Sequence, residues 1–232
     1  MKPYAAPPFG DGMVLQRDVP VRIWGHADPE ESVTICLQGK TVTTLSDPEG
    51  NWQTIIAQLA PFGETPDDMS QDFPVIRQKQ EKVAGTVSGV WLASTSDAGH
   101  PYDIHPKEKR PVGTRMALLA LQHVYALPIT GEAPCVSGIS HTQDMTAVHF
   151  DHAQGGLAVM GDHIQSLQLF DADCTEIPKE QWNAWAEGSQ LIIQMKPDAP
   201  QISQIAFGAT PFYRVNLYNM AGLPVRPFTV KV

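Results

Sequence analysis

SVTICLQGKTVTTL (32–45) decides how the rest of this chain reads. Two six-residue runs, SVTICL (32–37) and KTVTTL (40–45), are rich in β-branched residues and flank Gln38-Gly39. Branched side chains suit a pleated strand, and a two-residue link containing Gly is hairpin chemistry. The stretch predicts an antiparallel pair, and its neighbours repeat the pattern. VPVRIWG (19–25) precedes it, and NWQTIIAQL (51–59) follows across the turn Asp47-Pro48-Glu49-Gly50. Four strands at this spacing predict part of a β-sandwich.

Further along, APFGETPDDMSQD (60–72) reads as an acidic linker, and strand signals resume at FPVIRQ (73–78) and AGTVSGVWLAS (84–94). One segment, KRPVGTRMALLALQHVYAL (109–127), has helical period, with Val112, Met116, Leu119, Ala120, His123, Val124 and Leu127 on one face. Pro111 falls where a first helical turn accepts it. His123 lies on this apolar stripe and reads as a core histidine. Strands follow at 133–139, 145–150, 156–161, 166–170, 190–195, 201–207 and 212–218, while QWNAWAEG (181–188) lies near turns. The expectation is a mainly β chain. It has N- and C-terminal β-sandwich-like units and one amphipathic α-helix at about 110–127.

Charge narrows the ligands. Sixteen Lys and Arg against 25 Asp and Glu give a net charge of −9, which argues against nucleic acid and anionic membrane surfaces. Neutral ligands such as sugars stay open. No apolar run approaches the roughly 18 residues of a membrane span. MKPYAAPPFG lacks the apolar core of a signal peptide, so the chain as given reads as cytoplasmic, or as secreted or periplasmic if a leader was removed. Three cysteines, Cys36, Cys135 and Cys174, are widely separated and odd in number, which favours buried free thiols over a disulfide framework.

Candidate chemistry is sparse. His149, Asp151 and His152 are three potential ligands in VHFDHAQGG, with His141 or His163 the nearest residues able to complete a site. A strand running into a Gly-Gly turn explains them better, so no metal is expected. Phosphate-loop patterns are absent, and no cofactor is expected. Trp24, Trp52, Trp91, Trp182 and Trp185 are core residues or sugar-stacking surfaces. In GHPYDIHPKEKRPVG (99–113), Asp103 and His105 are the parts of a base and its orienter, lacking only a nucleophile. Ser94 and Ser96 are the nearby hydroxyls.

Five phrases in order give these residues a context. FGDGMVLQRDVPVRIWGHADPEESVTI (9–35) resembles the opening of sialate O-acetylesterase-like carbohydrate esterases, of the SGNH-hydrolase superfamily. GVWLAS (89–94) is similar to the strand entering their catalytic domain. DIHPKEKRPVGTRMALLAL (103–121) resembles the segment that carries the catalytic His. FDHAQGGL (150–157) and NLYNMAGLPVRPF (216–228) resemble the C-terminal β-region. The resemblance implies His105 as base, Asp103 as orienter, and an O-acetylated sugar or sialic acid as partner.

It also exposes a gap. The family's strand runs into Ser-Gly-Gln-Ser-Asn-Met, whose second Ser is the nucleophile; here Asp97 falls at that place. About ten residues around Thr95 to Gly99 stand in for most of an α/β domain, and the Asp-x-His spacing departs from the superfamily's Asp-x-x-His. The implied organisation is an N-terminal β-domain (1–94), a remnant of the catalytic domain (95–127) and a C-terminal β-domain (128–232). Two functions follow. One is a catalytically inactive set of accessory β-modules with a carbohydrate-related binding or structural role. The other is an active O-acetylesterase using Ser94 or Ser96, His105 and Asp103. A homo-oligomer covering the helix stripe is compatible with both.

Overall fold

The computed structural model describes residues 3–5, 25–37, 40–46, 48–50, 54–63, 71–87, 89–105, 107–142 and 145–232. The phrase at 9–24, the Gln38-Gly39 link, Asp47, most of the acidic linker, Trp24, Trp52 and Pro106 lie outside the described residues. The N-terminal part holds β1 (Tyr4–Ala5), β2 (Gly25–His26), β3 (Ser32–Leu37), β4 (Lys40–Leu45) and β5 (Thr54–Ala57). β3 and β4 pair antiparallel from Ser32↔Leu45 to Leu37↔Lys40, the register a two-residue hairpin link requires. Val33, Ala27 and Ile35 pack beneath them.

A helix, α1 (Phe73–Thr86), then crosses to β6 (Val90–Ala93), which lies parallel to β5. The strand expected at 73–78 is therefore corrected to helix, and the strand expected at 84–94 shrinks to four residues. The cause is polar. α1 turns Phe73, Arg77, Gln80 and Glu81 inward at helical spacing, so three hydrogen-bonding residues occupy the stripe where apolar periodicity would show. Arg77, 1% exposed, donates to the Thr210 and Pro211 carbonyls, and Gln80 accepts from the Leu59 N–H. Pro74 fits the first turn.

The second helix, α2 (Lys109–Leu119), continues as a π-helical turn (Ala120–Val124). It ends three residues before the expected stripe does, and Val124 and Leu127 are exposed. Ala126 adopts a positive φ of 51°, which closes the helix before Leu127 can join its face.

The C-terminal part contains β7 (Cys135–His141), β8 (Met145–Asp151), β9 (Leu157–Val159), β10 (Leu167–Phe170), β11 (Trp182–Glu187), β12 (Gln190–Met195), β13 (Gln204–Phe207), β14 (Leu217–Asn219) and β15 (Phe228–Lys231). One antiparallel sheet runs β11-β12-β8-β7 and another β10-β13-β15, with β9 and β14 paired separately. Inward residues of both larger sheets, among them Val148, Leu191 and Ile193 facing Leu169, Ile205 and Phe207, form one buried cluster. This is sandwich packing, and each such buried side chain contributes roughly 1.5–3 kcal/mol. The fold is mainly β. β11 and β15 were not read as strands from sequence, and only Leu217 and Tyr218 of the expected 212–218 strand fall in one, β14. Among the described residues no helix is long and apolar enough to cross a membrane.

Candidate functional site

β6 delivers its C-terminal end into a buried turn. Ser94, Thr95 and Ser96 are each at most 2% exposed. Ser94 Oγ and Ser96 Oγ are hydrogen-bonded at 3.0 Å, and Tyr213 Oη donates to Ser96 Oγ at 2.9 Å. Thr95 donates to the Gln58 carbonyl at 2.7 Å. Burial pushes the Tyr213 phenol up to about 12, so it stays a donor at neutral pH. Gly208 makes room for that ring: at its φ of 61°, a Cβ would lie 2.7 Å from Tyr213.

Asp97 follows immediately, clamped from α2. Arg115 Nη1 and Nη2 donate to its two carboxylate oxygens at 2.6 and 2.7 Å, and Nη1 also donates to the Ser94 carbonyl at 3.0 Å. Such a bidentate fork fixes geometry as well as charge. Tyr218 Oη donates to Asp97 Oδ2 at 3.5 Å, and burial, then the Asp97 charge, holds its phenol above the ordinary value. Ser94, Ser96, Asp97, Arg115, Tyr213 and Tyr218 thus form one hydrogen-bonded knot joining three parts of the chain.

Beyond the knot the chain turns outward. Gly99 passes so close to residue 61 that a Cβ would sit 2.1 Å from the Pro61 carbonyl oxygen, and the His100 N–H donates to that oxygen at 3.0 Å. Past this pin, the His105 N–H donates to Asp103 Oδ1 at 2.9 Å, while His105 Nδ1 lies 3.5 Å from the same oxygen. The backbone hydrogen bond holds the Asp103 carboxyl below its ordinary value, with Lys107 adding to the effect. The His105 side chain is 83% exposed. The structure therefore brings Asp103 and His105 together, and separately Ser94 and Ser96. The hydrogen bonds of the two hydroxyls among the described residues run to each other, to the backbone N–H of Ser96 and to Tyr213, with no histidine among them.

A second constellation was not read from sequence. Arg226, from the stretch between β14 and β15, donates to Glu132 Oε2 at 3.0 Å, Glu81 Oε2 at 3.4 Å and the Ala133 carbonyl at 3.2 Å. Glu132 also meets His123 Nε2 at 2.9 Å, and the His123 ring stacks on Trp91 with centroids 4.4 Å apart. Glu81, Trp91, Glu132 and Arg226 border a cleft of about 550 Å³ that Cys135 and His152 also line. Burial pushes the Glu81 carboxyl up against the pull of Arg226, and likewise raises the Cys135 thiol. Every charged group of the network has a partner, so it reads as a tie between α1, α2 and the C-terminal sheets. Its members lie up to 145 positions apart, too far for spacing to reveal them.

Two of the remaining candidates have side-chain partners. His149 Nε2 meets Ser140 Oγ and His141 Nδ1 meets Thr146 Oγ1, both at 2.8 Å. Among the described residues no three His, Cys, Asp or Glu converge as a metal site. Cys135 is half-buried but Cys174 is exposed, which corrects the buried-thiol expectation for that residue. Its turn, at φ 60°, is organised by Asp171 accepting from the Asp173 and Thr175 N–H groups and faces solvent.

No protein-family model matches the chain, and no curated protein matches it. Among solved structures, a novel carbohydrate acetylesterase from Xanthomonas citri is similar, with a TM-score of 0.67 and 28% sequence identity. The match covers 79% of this chain and 42% of that one, so this chain spans less than half of its neighbour's length. In fold and in sequence, the chain is related to part of a carbohydrate esterase.

Proposed function

We propose that this chain is a carbohydrate-esterase-related β-scaffold without hydrolytic activity, acting through carbohydrate binding. Its parts are an N-terminal β-domain (1–94), a residue of the SGNH catalytic domain (95–127) and a C-terminal β-domain (128–232). The supporting observation is the knot at the end of β6. At the place of the family's nucleophile stands Asp97, its carboxylate engaged by Arg115, while the Ser94 and Ser96 hydroxyls are buried in their own hydrogen bonds. A serine nucleophile needs a base within hydrogen-bond reach and an open approach for the ester carbonyl. Loss of a nucleophile costs roughly 10⁶ in rate.

The second reading is an active O-acetylesterase acting on sialic acid or another O-acetylated sugar. Its support is local: His105 Nδ1 lies 3.5 Å from Asp103, the relation of a base to its orienter. The assay that separates them is hydrolysis of p-nitrophenyl acetate and an O-acetylated sugar. No turnover above buffer is expected from wild type. Turnover abolished by diisopropyl fluorophosphate and by His105→Ala would establish the second reading and end the first.

A further inference from the structure

The outer face of the sheet β11-β12-β8-β7 carries the one tryptophan among the described residues that neither core nor network absorbs. Along β11, Trp182 points inward at 3% exposure and donates to the Ile177 carbonyl, whereas Trp185 points outward at 37% exposure. The Trp185 indole N–H donates to Glu187 Oε2 at 3.3 Å. Residues two apart on one strand face are separated by about 6.7 Å along the strand, so an indole reaching that carboxylate lies along the sheet. Ile192, directly opposite Trp185 in the register, shares this outer face yet is only 6% exposed.

Beside the indole runs a polar row. The pairing places Glu187 opposite Gln190, Gln190 opposite His149 and His149 opposite Gly138. The hydrogen bond to Ser140 fixes the His149 ring in this row. At the far end a Cβ on Gly138 would meet nothing within 4 Å, so no wall closes the row. Three inter-strand steps make it about 14 Å long, more than a single sugar ring needs. None of the four strands contains Lys or Arg.

We propose that this face binds a neutral polysaccharide chain, with Trp185 stacked against the apolar face of a pyranose ring and Glu187, Gln190 and His149 hydrogen-bonded to its hydroxyls. The proposal rests on the carbohydrate-binding reading above and gives it a surface. The charges select the ligand. A polyanionic glycan would meet the Glu187 carboxylate with no cation on any of the four strands, on a chain of net charge −9. A neutral polyol matches an amide, an imidazole and a carboxylate, which together donate and accept.

Native electrophoresis through gels containing hydroxyethylcellulose, xylan or glucomannan, with polygalacturonate as the anionic control, tests it. At least one neutral polymer retards wild type, and Trp185→Ala weakens that retardation about tenfold or more, as expected for loss of an aromatic platform. The thermal midpoint of the variant stays close to wild type. Gly138→Tyr, which fills open space at a strand position, blocks the row and gives the same loss should the alanine variant fold poorly. The proposal is overturned if no neutral polymer retards wild type, if both variants bind like wild type, or if polygalacturonate binds best. Dimerisation abolished by Trp185→Ala would assign the face to a second copy of the chain and overturn it equally. The polymers are used after alkaline deacetylation and so carry no acetyl ester; an esterase that fails to bind them sinks this inference, whereas ester turnover alone sinks the inactivity reading.

Discussion

Ser94–Asp97 and Asp103–His105 lie within a dozen residues of each other and are held in opposite ways. In the first stretch Ser94, Thr95 and Ser96 are buried, and its side chains are engaged from α2, from Tyr213 and from Tyr218. The second is exposed, and its order comes from a hydrogen bond between Asp103 and the backbone of a residue two positions on. A local turn of this kind needs nothing beyond its own sequence. A nucleophile needs a base, an orienter and an oxyanion site brought together from distant elements. Of the two, the stretch resembling a catalytic loop is thus the one the tertiary structure uses less. The stretch that the resemblance aligns with a nucleophile is the one it uses more.

That contrast can be broken by substitution. The largest effect is expected at Asp97. Asp97→Ala leaves the Arg115 guanidinium, whose side chain is 8% exposed, with the Ser94 carbonyl as its remaining acceptor among the described residues. Stripping a buried ion of its partner costs about 3 kcal/mol, or roughly 10 °C in thermal midpoint for a chain of this size. A midpoint unchanged within error would show that the clamp is not structural.

Tyr213→Phe sharpens the same side of the comparison. It removes the phenol that donates to Ser96 and should cost about 1 kcal/mol in denaturant unfolding. A loss as large as that of Asp97→Ala would make the hydroxyl pair, not the ion pair, the centre of the knot.

The smallest effect is expected on the exposed loop. His105→Ala keeps the backbone N–H that Asp103 accepts, so stability should move by no more than about 0.5 kcal/mol. A loss comparable to that at Asp97 would mean that the loop is held from elsewhere in the fold and would erase the distinction.

Legibility followed locality. The β3–β4 pair was readable because its branched residues and two-residue link are adjacent in sequence, and the register agrees. α2 was readable from its apolar period, apart from its last turn. α1 was misread because Arg77, Gln80 and Glu81 supply its inward stripe, and their partners Thr210, Pro211, Leu59, Gln58 and Arg226 lie elsewhere in the chain. β11 was missed because QWNAWAEG looks like turn sequence until its alternation of Trp182 and Ala184 inward with Asn183 and Trp185 outward is seen in the sheet.

By itself the sequence determined the mainly β class, the hairpin, the central helix and the kinship with carbohydrate esterases. Each of these depends on side chains near one another in the chain or on phrases kept in order. Only the tertiary structure decided that Asp97 belongs to Arg115, that the two serine hydroxyls face each other and Tyr213, and that Glu81, Glu132 and Arg226 meet. Apart from the Ser94–Ser96 pair, those contacts join residues 18 to 145 positions apart, and what sets them is the packing of helices and sheets on one another.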